Sequence, residues 1–330
     1  MHIPDGFLDA RTAVASGALA VAGVGFALRT VRRRVPARRI PLIGLAAAFV
    51  FAAQMLNFPV AGGTSGHLIG GVLAAVLLGP SAAMLVMTAV LLLQCLMFAD
   101  GGVTALGANL FNMAIVAPGV GYAIYALVRR LAGGNLRARL LGTAFAAWCS
   151  TMAAAIACAG ELALSGTVAA GVALPAMAGV HALIGIGEAL ISTLVVAGVA
   201  QLRPELLAGA EEAAGHGRHG PAVVYGLLIS LGLAVFVAPF ASPWPDGLEK
   251  VAARLGFEHR AAAPALASPL PDYTLPGIKS VALSTILAGC IGTGIAFGLA
   301  YLLARALTPR PSLARNRPPG GASPDASRAA

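Results

Sequence analysis

Charge is what this chain lacks most. Only 11% of its 330 residues are Asp, Glu, Lys or Arg, against about 25% in ordinary soluble domains. The scarcity is concentrated: residues 40–99 hold none of the four, and neither do 101–128, 140–160, 162–187, 220–245 and 280–304. A water-exposed helix needs a polar face, whereas a helix in ~30 Å of hydrocarbon needs about 20 apolar residues and no such face. These runs exclude a soluble enzyme, a secreted disulfide scaffold and a nucleic-acid-binding domain, in spite of a net charge of +9. Cysteine is scarce too. Cys95, Cys149, Cys158 and Cys290 lie inside apolar runs without CxxC spacing and read as small buried hydrophobes. The start has acids and a turn in place of the basic and apolar regions of a secretory signal, so Met1 is expected to be the mature first residue. There is no Walker A sequence, so ATP hydrolysis is not expected of this chain. There is also no fixed-period or inverted repeat, which argues against common secondary-transporter folds.

What is present is a series of apolar runs at roughly 12–30, 40–56, 67–79, 81–98, 105–128, 140–164, 174–202, 221–241 and 280–304. Each is expected to be a helix, because a helix satisfies all its backbone donors and acceptors internally. The third is short and is cut from the fourth by Gly79-Pro80. With nine spans, seventeen of the 22 basic residues fall on one side, in the connections near 29–39, 129–139 and 203–218 and in the C-terminal tail. The positive-inside rule puts that side in the cytoplasm, the N-terminus outside and the C-terminus inside. The fold class is thus an all-α polytopic membrane protein: a seven-helix bundle plus a two-helix C-terminal module. The expected division is a membrane domain at 1–202, a cytoplasmic linker at 203–220, the two-helix module at 221–306 and a disordered tail at 307–330.

This topology brings two distant histidines to one face: His2 in the free N-terminus and His67 after the Gly-rich loop 57–66. A metal ion can take the Met1 amine, then the amide nitrogen of His2, then its Nδ1. The chelate rings have five and six members, and the geometry exists only when His is residue 2 and the amine is free. A nitrogen from His67 would complete a square-planar four-nitrogen set, which suits Ni(II) or Cu(II), and Co(II) more loosely. Taken singly, His2 is an arbitrary exposed residue and His67 an interfacial one; the shared face and the special position favour a joint metal site. Pro4-Asp5-Gly6 supplies a turn that could direct the arm back into the bundle. Asp5, Asn57, Ser65 and Asp100 are candidates to support the ligands from behind, with Asp100-Gly101-Gly102 also readable as a plain turn.

Three stretches stand out: Met1-His2-Ile3-Pro4-Asp5-Gly6-Phe7-Leu8, Gly62-Gly63-Thr64-Ser65-Gly66-His67-Leu68-Ile69-Gly70-Gly71 and His181-Ala182-Leu183-Ile184-Gly185-Ile186-Gly187-Glu188-Ala189. They resemble the CbiM/NikM family, the substrate-binding (S) components of energy-coupling-factor transporters for cobalt and nickel. The C-terminal part, with Pro245-Asp246-Gly247-Leu248-Glu249 and Leu270-Pro271-Asp272-Tyr273, resembles the small CbiN/NikN partner with its PDGLE hallmark. The resemblance implies a natural fusion of the two components. It also implies metal ligation by the N-terminal amine, the backbone and side chain of His2, and His67. Further, it implies a transmembrane coupling (T) protein and a cytoplasmic ATP-binding-cassette ATPase dimer as partners, in a bacterial plasma membrane.

His181 and Glu188 are seven residues apart, on one helix face but too distant for direct contact. They read as helix contacts or as an interface with a transporter partner. Asp246 can cap a short helix whose Leu248, Val251, Ala252 and Leu255 form one apolar stripe, and this external segment, 242–279, is expected to act on the metal site. The reading is a capture component of an ATP-driven importer of a divalent transition metal, nickel(II) first and cobalt(II) second, bound as substrate with no resident cofactor and no catalytic residues. The rival is an ion-coupled secondary permease, which needs intramembrane carboxylates near the midplane; only Glu188 qualifies.

Overall fold

The computed structural model describes residues 1–207 and 220–308. Residues 208–219 of the expected linker and 309–330 of the expected tail lie outside these residues. The apolar runs form helices: α1 (Ala10–Arg34), α2 (Ile40–Gln54), α3 (Gly71–Leu78), α4 (Pro80–Phe98), α5 (Leu106–Ala132), α6 (Leu136–Leu164), α7 (Ala170–Leu202) and α8 (Gly220–Phe236). Then come the short α9 (Gly247–Leu255) and a last long helix, α10 (Val281–Leu307). Polar residues mark the helix starts, where backbone N–H groups lack partners. Asp9 accepts from the amide of Thr12, Asn135 from that of Ala138 and Ser280 from that of Leu283. Arg32, Arg33 and Arg34 close α1, where cations suit the helix dipole.

Among the described residues, eight helices are long and apolar enough to cross a membrane. Large side chains such as Val21, Phe26, Ile186 and Leu194 are exposed along them. That is the inverse of a soluble protein and suits contact with lipid. The chain is a multi-pass membrane protein.

The third run departs from expectation. Only Gly71–Leu78 is helical, about 12 Å at 1.5 Å per residue. The rest of that run, together with the segment before it, forms a β-hairpin, β1 (Phe58–Val60) with β2 (Thr64–Gly66), and a loop at 67–70 buried in the bundle. Irregular backbone survives there only if its polar groups find partners. Glu188 of α7 accepts from the amides of Ile69 (2.6 Å) and Gly70 (2.9 Å), and Gln54 Nε2 donates to the Ile69 carbonyl at 2.8 Å. Gly70 takes φ +79°, a conformation open to glycine, and starts α3. The chain then reverses at Gly79-Pro80, and α3 and α4 pack together. An apolar run looks the same in sequence whether it spans or folds as a buried hairpin.

The two long C-terminal helices do not stand apart. α10 packs on α2 and α4, and α8 packs on α2 and α10. This seats the segment between them, residues 237–280, over the end of the bundle where the N-terminal arm and the hairpin meet.

Candidate metal centre

Residues 1–8 form an arm threaded into the bundle. Met1, Ile3, Asp5 and Phe7 are buried, in the alternation of an extended chain. Each is tied by its backbone. The Ile3 amide donates to Asn109 Oδ1 (2.8 Å), its carbonyl accepts from the Gly102 amide (2.9 Å), and Thr167 Oγ1 donates to the Phe7 carbonyl (2.5 Å). Gly102 permits the close approach: a Cβ there would stand 2.2 Å from the Asp5 nitrogen. The Asp100-Gly101-Gly102 loop is therefore part of the arm's seat.

Asp5 holds the turn. Its Oδ1 accepts from the amide (2.8 Å) and hydroxyl (2.6 Å) of Thr104, and its Oδ2 from the Ala265 amide at 2.9 Å. Burial would raise this carboxyl, but the hydrogen bonds outweigh it and hold the group below its usual range. Asp5→Ala should destabilise the protein by about 2–3 kcal/mol, since buried donors lose a charged acceptor. A thermal melt in detergent checks this; an unchanged midpoint contradicts it.

At the end of the arm the Met1 nitrogen lies 2.8 Å from His67 Nε2 and 2.5 Å from Asp246 Oδ2. His67 Nδ1 lies 3.1 Å from the Leu68 carbonyl. A carbonyl only accepts, so Nδ1 carries the proton and Nε2 turns its lone pair to the amine. A separation of 2.8 Å is also the edge of a square whose metal–nitrogen bonds are about 2 Å. The His2 ring stacks near His67, with centroids 5.3 Å apart and planes at 21°. His2 Nε2–H donates to Gln94 Oε1 (3.2 Å), and Nδ1 lies 3.0 Å from Asp100 Oδ1. Ligation through Nδ1 exchanges that carboxylate for the metal. Among the described residues, no three His, Cys, Asp or Glu side chains gather as a metal cluster. Main-chain nitrogens therefore have to supply half of any four-nitrogen set.

Electrostatics favour the ligand form of His67. Burial, and then the Met1 ammonium, push its imidazole from 6.5 down to about 3. Burial would raise the Asp246 carboxyl, but the Met1 ammonium holds it well below the usual carboxylate range. For His67 the unfolded chain takes up a proton between about pH 6.5 and pH 3 that the folded chain refuses. Its contribution therefore makes stability fall as pH drops through that window. Melts between about pH 7 and 4 should show this slope, and His67→Ala should flatten it; an equal slope in both proteins contradicts the assignment.

Of the other sequence candidates, Ser65 and Asn57 hold the C-terminal segment. The Ser65 amide donates to the Pro245 carbonyl (2.8 Å), its hydroxyl to the Trp244 carbonyl (2.7 Å), and the Asn57 carbonyl accepts from the Ser242 amide (2.8 Å). Glu188 is engaged by the loop amides and does not meet His181, which faces the metal end. Three contacts escaped the sequence reading: Gln94, Tyr273 and the reach of Asp246 to the amine. Tyr273 O–H donates to Asp100 Oδ2 (2.5 Å), and Gln94 Nε2 donates to the Tyr273 oxygen (3.1 Å). Tyr273 sits at φ 56°, strained for a non-glycine residue. A lone glutamine inside the apolar run 81–98 was the available signal.

Residues 2–206 match the family described as the cobalt uptake substrate-specific transmembrane region (CbiM). This chain belongs to that family. Residues 221–309 match the PDGLE domain. The chain is 40% identical to the "Putative fused nickel transport protein NikMN" of Archaeoglobus fulgidus, over 92% of this chain and 98% of that one. It is 34% identical to the fused nickel transport protein NikMN of Rhodobacter capsulatus, over 93% and 100% respectively. A crystal structure of a truncated transition metal transporter superposes with a TM-score of 0.56 at 38% identity, covering 61% of this chain and 99% of that one. Within the CbiM family, this chain is a membrane component of metal transport and not an enzyme.

Proposed function

We propose that this protein captures nickel(II), and cobalt(II) in second place, from outside the plasma membrane for ATP-driven import. The ion is held as substrate by the Met1 amine, the amide nitrogen and Nδ1 of His2, and His67 Nε2. The observation that carries this is the 2.8 Å pairing of the amine with the unprotonated nitrogen of a buried imidazole. Four nitrogens in a plane suit low-spin Ni(II) and reject Mg(II) and Ca(II), which take oxygen. Residues 1–202 carry the ligands, and residues 221–306 cover them. Energy comes from a T protein and an ATPase dimer, in line with the absence of a Walker A sequence here.

Calorimetric titration of the purified chain with nickel tests the reading. The native chain should bind one ion. His67→Ala should bind at least about tenfold more weakly, the scale on which loss even of a ligand's supporting partner acts. Unaltered affinity in His67→Ala removes that residue from the site.

A further inference from the structure

Gln94 is a fully buried amide in the apolar helix α4, and both of its ends are engaged. Which end faces His2 decides which nitrogen of that ring keeps a proton. One end of an amide donates, the other accepts, and its shape fits either way round. The neighbours therefore have to fix it.

Four side chains close a ring around this choice. Tyr273 Oη lies 2.5 Å from Asp100 Oδ2, and Asp100 Oδ1 lies 3.0 Å from His2 Nδ1. His2 Nε2 lies 3.2 Å from Gln94 Oε1, and Gln94 Nε2 lies 3.1 Å from Tyr273 Oη. A hydroxyl has a single hydrogen. At 2.5 Å from a carboxylate oxygen that hydrogen is committed to Asp100, in a charge-assisted bond. Tyr273 Oη can then only accept, so Gln94 has to turn its NH2 group there and its oxygen to His2. An oxygen facing Nε2 calls for Nε2–H.

The opposite turn would work against ligation. Gln94 Nε2 would donate to an unprotonated His2 Nε2, and His2 Nδ1–H would donate to Asp100. The imidazole would be fully hydrogen-bonded, but with its proton on the nitrogen that the chelate needs. Tyr273 excludes this turn, because the Gln94 oxygen would meet a hydroxyl oxygen with no hydrogen left to give. Tyr273 is also firmly placed. Its ring stacks on Phe98, with centroids 4.8 Å apart and planes at 23°, and its centroid lies 6.1 Å from that of Phe51. Asp272 and Tyr273 take φ 51° and 56°, a conformation that persists only where the surroundings enforce it.

We propose that Tyr273 is a positioning residue: through Gln94 it keeps the His2 proton on Nε2 and leaves Nδ1 to the incoming ion. The inference rests on the reading of His2 Nδ1 as a nickel ligand. By this route the C-terminal module acts on a ligand of the N-terminal arm.

Nickel titration of the full chain in detergent tests the proposal. Tyr273→Phe keeps the stacked ring and removes the hydroxyl. Gln94→Met keeps the length of the side chain and removes the acceptor. Each should weaken nickel binding about tenfold, the lower end of what a ligand's supporting partner contributes. The deciding measurement is Tyr273→Phe made again on a Gln94→Glu background. A carboxylate accepts with either oxygen, so no neighbour has to orient it, and there Tyr273→Phe should cost no more than about twofold. An equal loss on both backgrounds makes Tyr273 a packing residue or a partner of Asp100 alone, and overturns the proposal. Native affinity in Gln94→Met overturns it too, a result that stands even if Tyr273→Phe fails to fold. Either result leaves the capture reading standing; a native chain that binds no nickel overturns that reading and this one together.

Discussion

An extension of about ten Gly and Ser residues ahead of Met1 is expected to abolish high-affinity nickel binding while the protein still inserts and folds. A single added residue would make His2 third in the chain and offer nickel a new amine, two amides and the imidazole, whereas the longer extension turns the Met1 amine into an amide and moves the free amine too far away to share a chelate with His2. The five-membered ring then no longer starts at a basic nitrogen, and His67 is left as a single donor. Affinity should fall by about a thousandfold, within the range by which linking donors on one backbone raises avidity. The structure adds a steric reason. Met1 is 5% exposed and its nitrogen sits between His67 and Asp246, so an added residue has to displace the arm. The bundle helices do not depend on that contact, and size-exclusion profiles should match the native protein. Titration with nickel checks it, and normal binding by the extended chain contradicts the chelate.

Replacing residues 246–275 by a flexible Gly/Ser bridge, with α8 and α10 kept, should collapse metal uptake. The segment holds both halves of the site. Asp246 reaches the Met1 amine, and the Ala262 amide donates to the Asp5 carbonyl at 2.8 Å. The Ala265 amide holds the Asp5 carboxylate, the Leu270 amide donates to the Met97 carbonyl at 2.9 Å, and Tyr273 holds Asp100. Three of these bonds are to ionised carboxylates, each worth about 1.5–3 kcal/mol, or about 10- to 100-fold in the population of the seated site. Uptake of radiolabelled nickel in cells that also make the coupling partners should fall more than about tenfold. The amount of protein in the membrane should hold steady. Native uptake by the shortened chain would leave the segment as a mere connector.

The helix α9 inside that segment was legible in sequence. Asp246 and Glu249 form a reciprocal cap, and Leu248, Val251 and Ala252 are buried as their spacing requires. That His2 occupies the position from which a chelate can form was legible for a different reason: it depends on residue number alone. The third span was not legible, since hydrophobicity reports burial but not whether lipid or protein provides it. Nor does spacing relate Asp246 to Met1, 245 residues away, or Tyr273 to Asp100. Those pairs follow from how α8 and α10 dock on α2 and α4, which only tertiary packing fixes. Glu188 was readable as a costly intramembrane carboxylate, but its partners are main-chain amides and leave no trace in side-chain pattern.

The central claim is a four-nitrogen plane around a captured ion. X-ray absorption at the nickel edge of the loaded, full-length chain tests it most directly. The account predicts four nitrogen neighbours at about 2 Å, two of them imidazoles, with the pre-edge feature of a square plane. A six-coordinate shell dominated by oxygen, or a tetrahedral one, would contradict it.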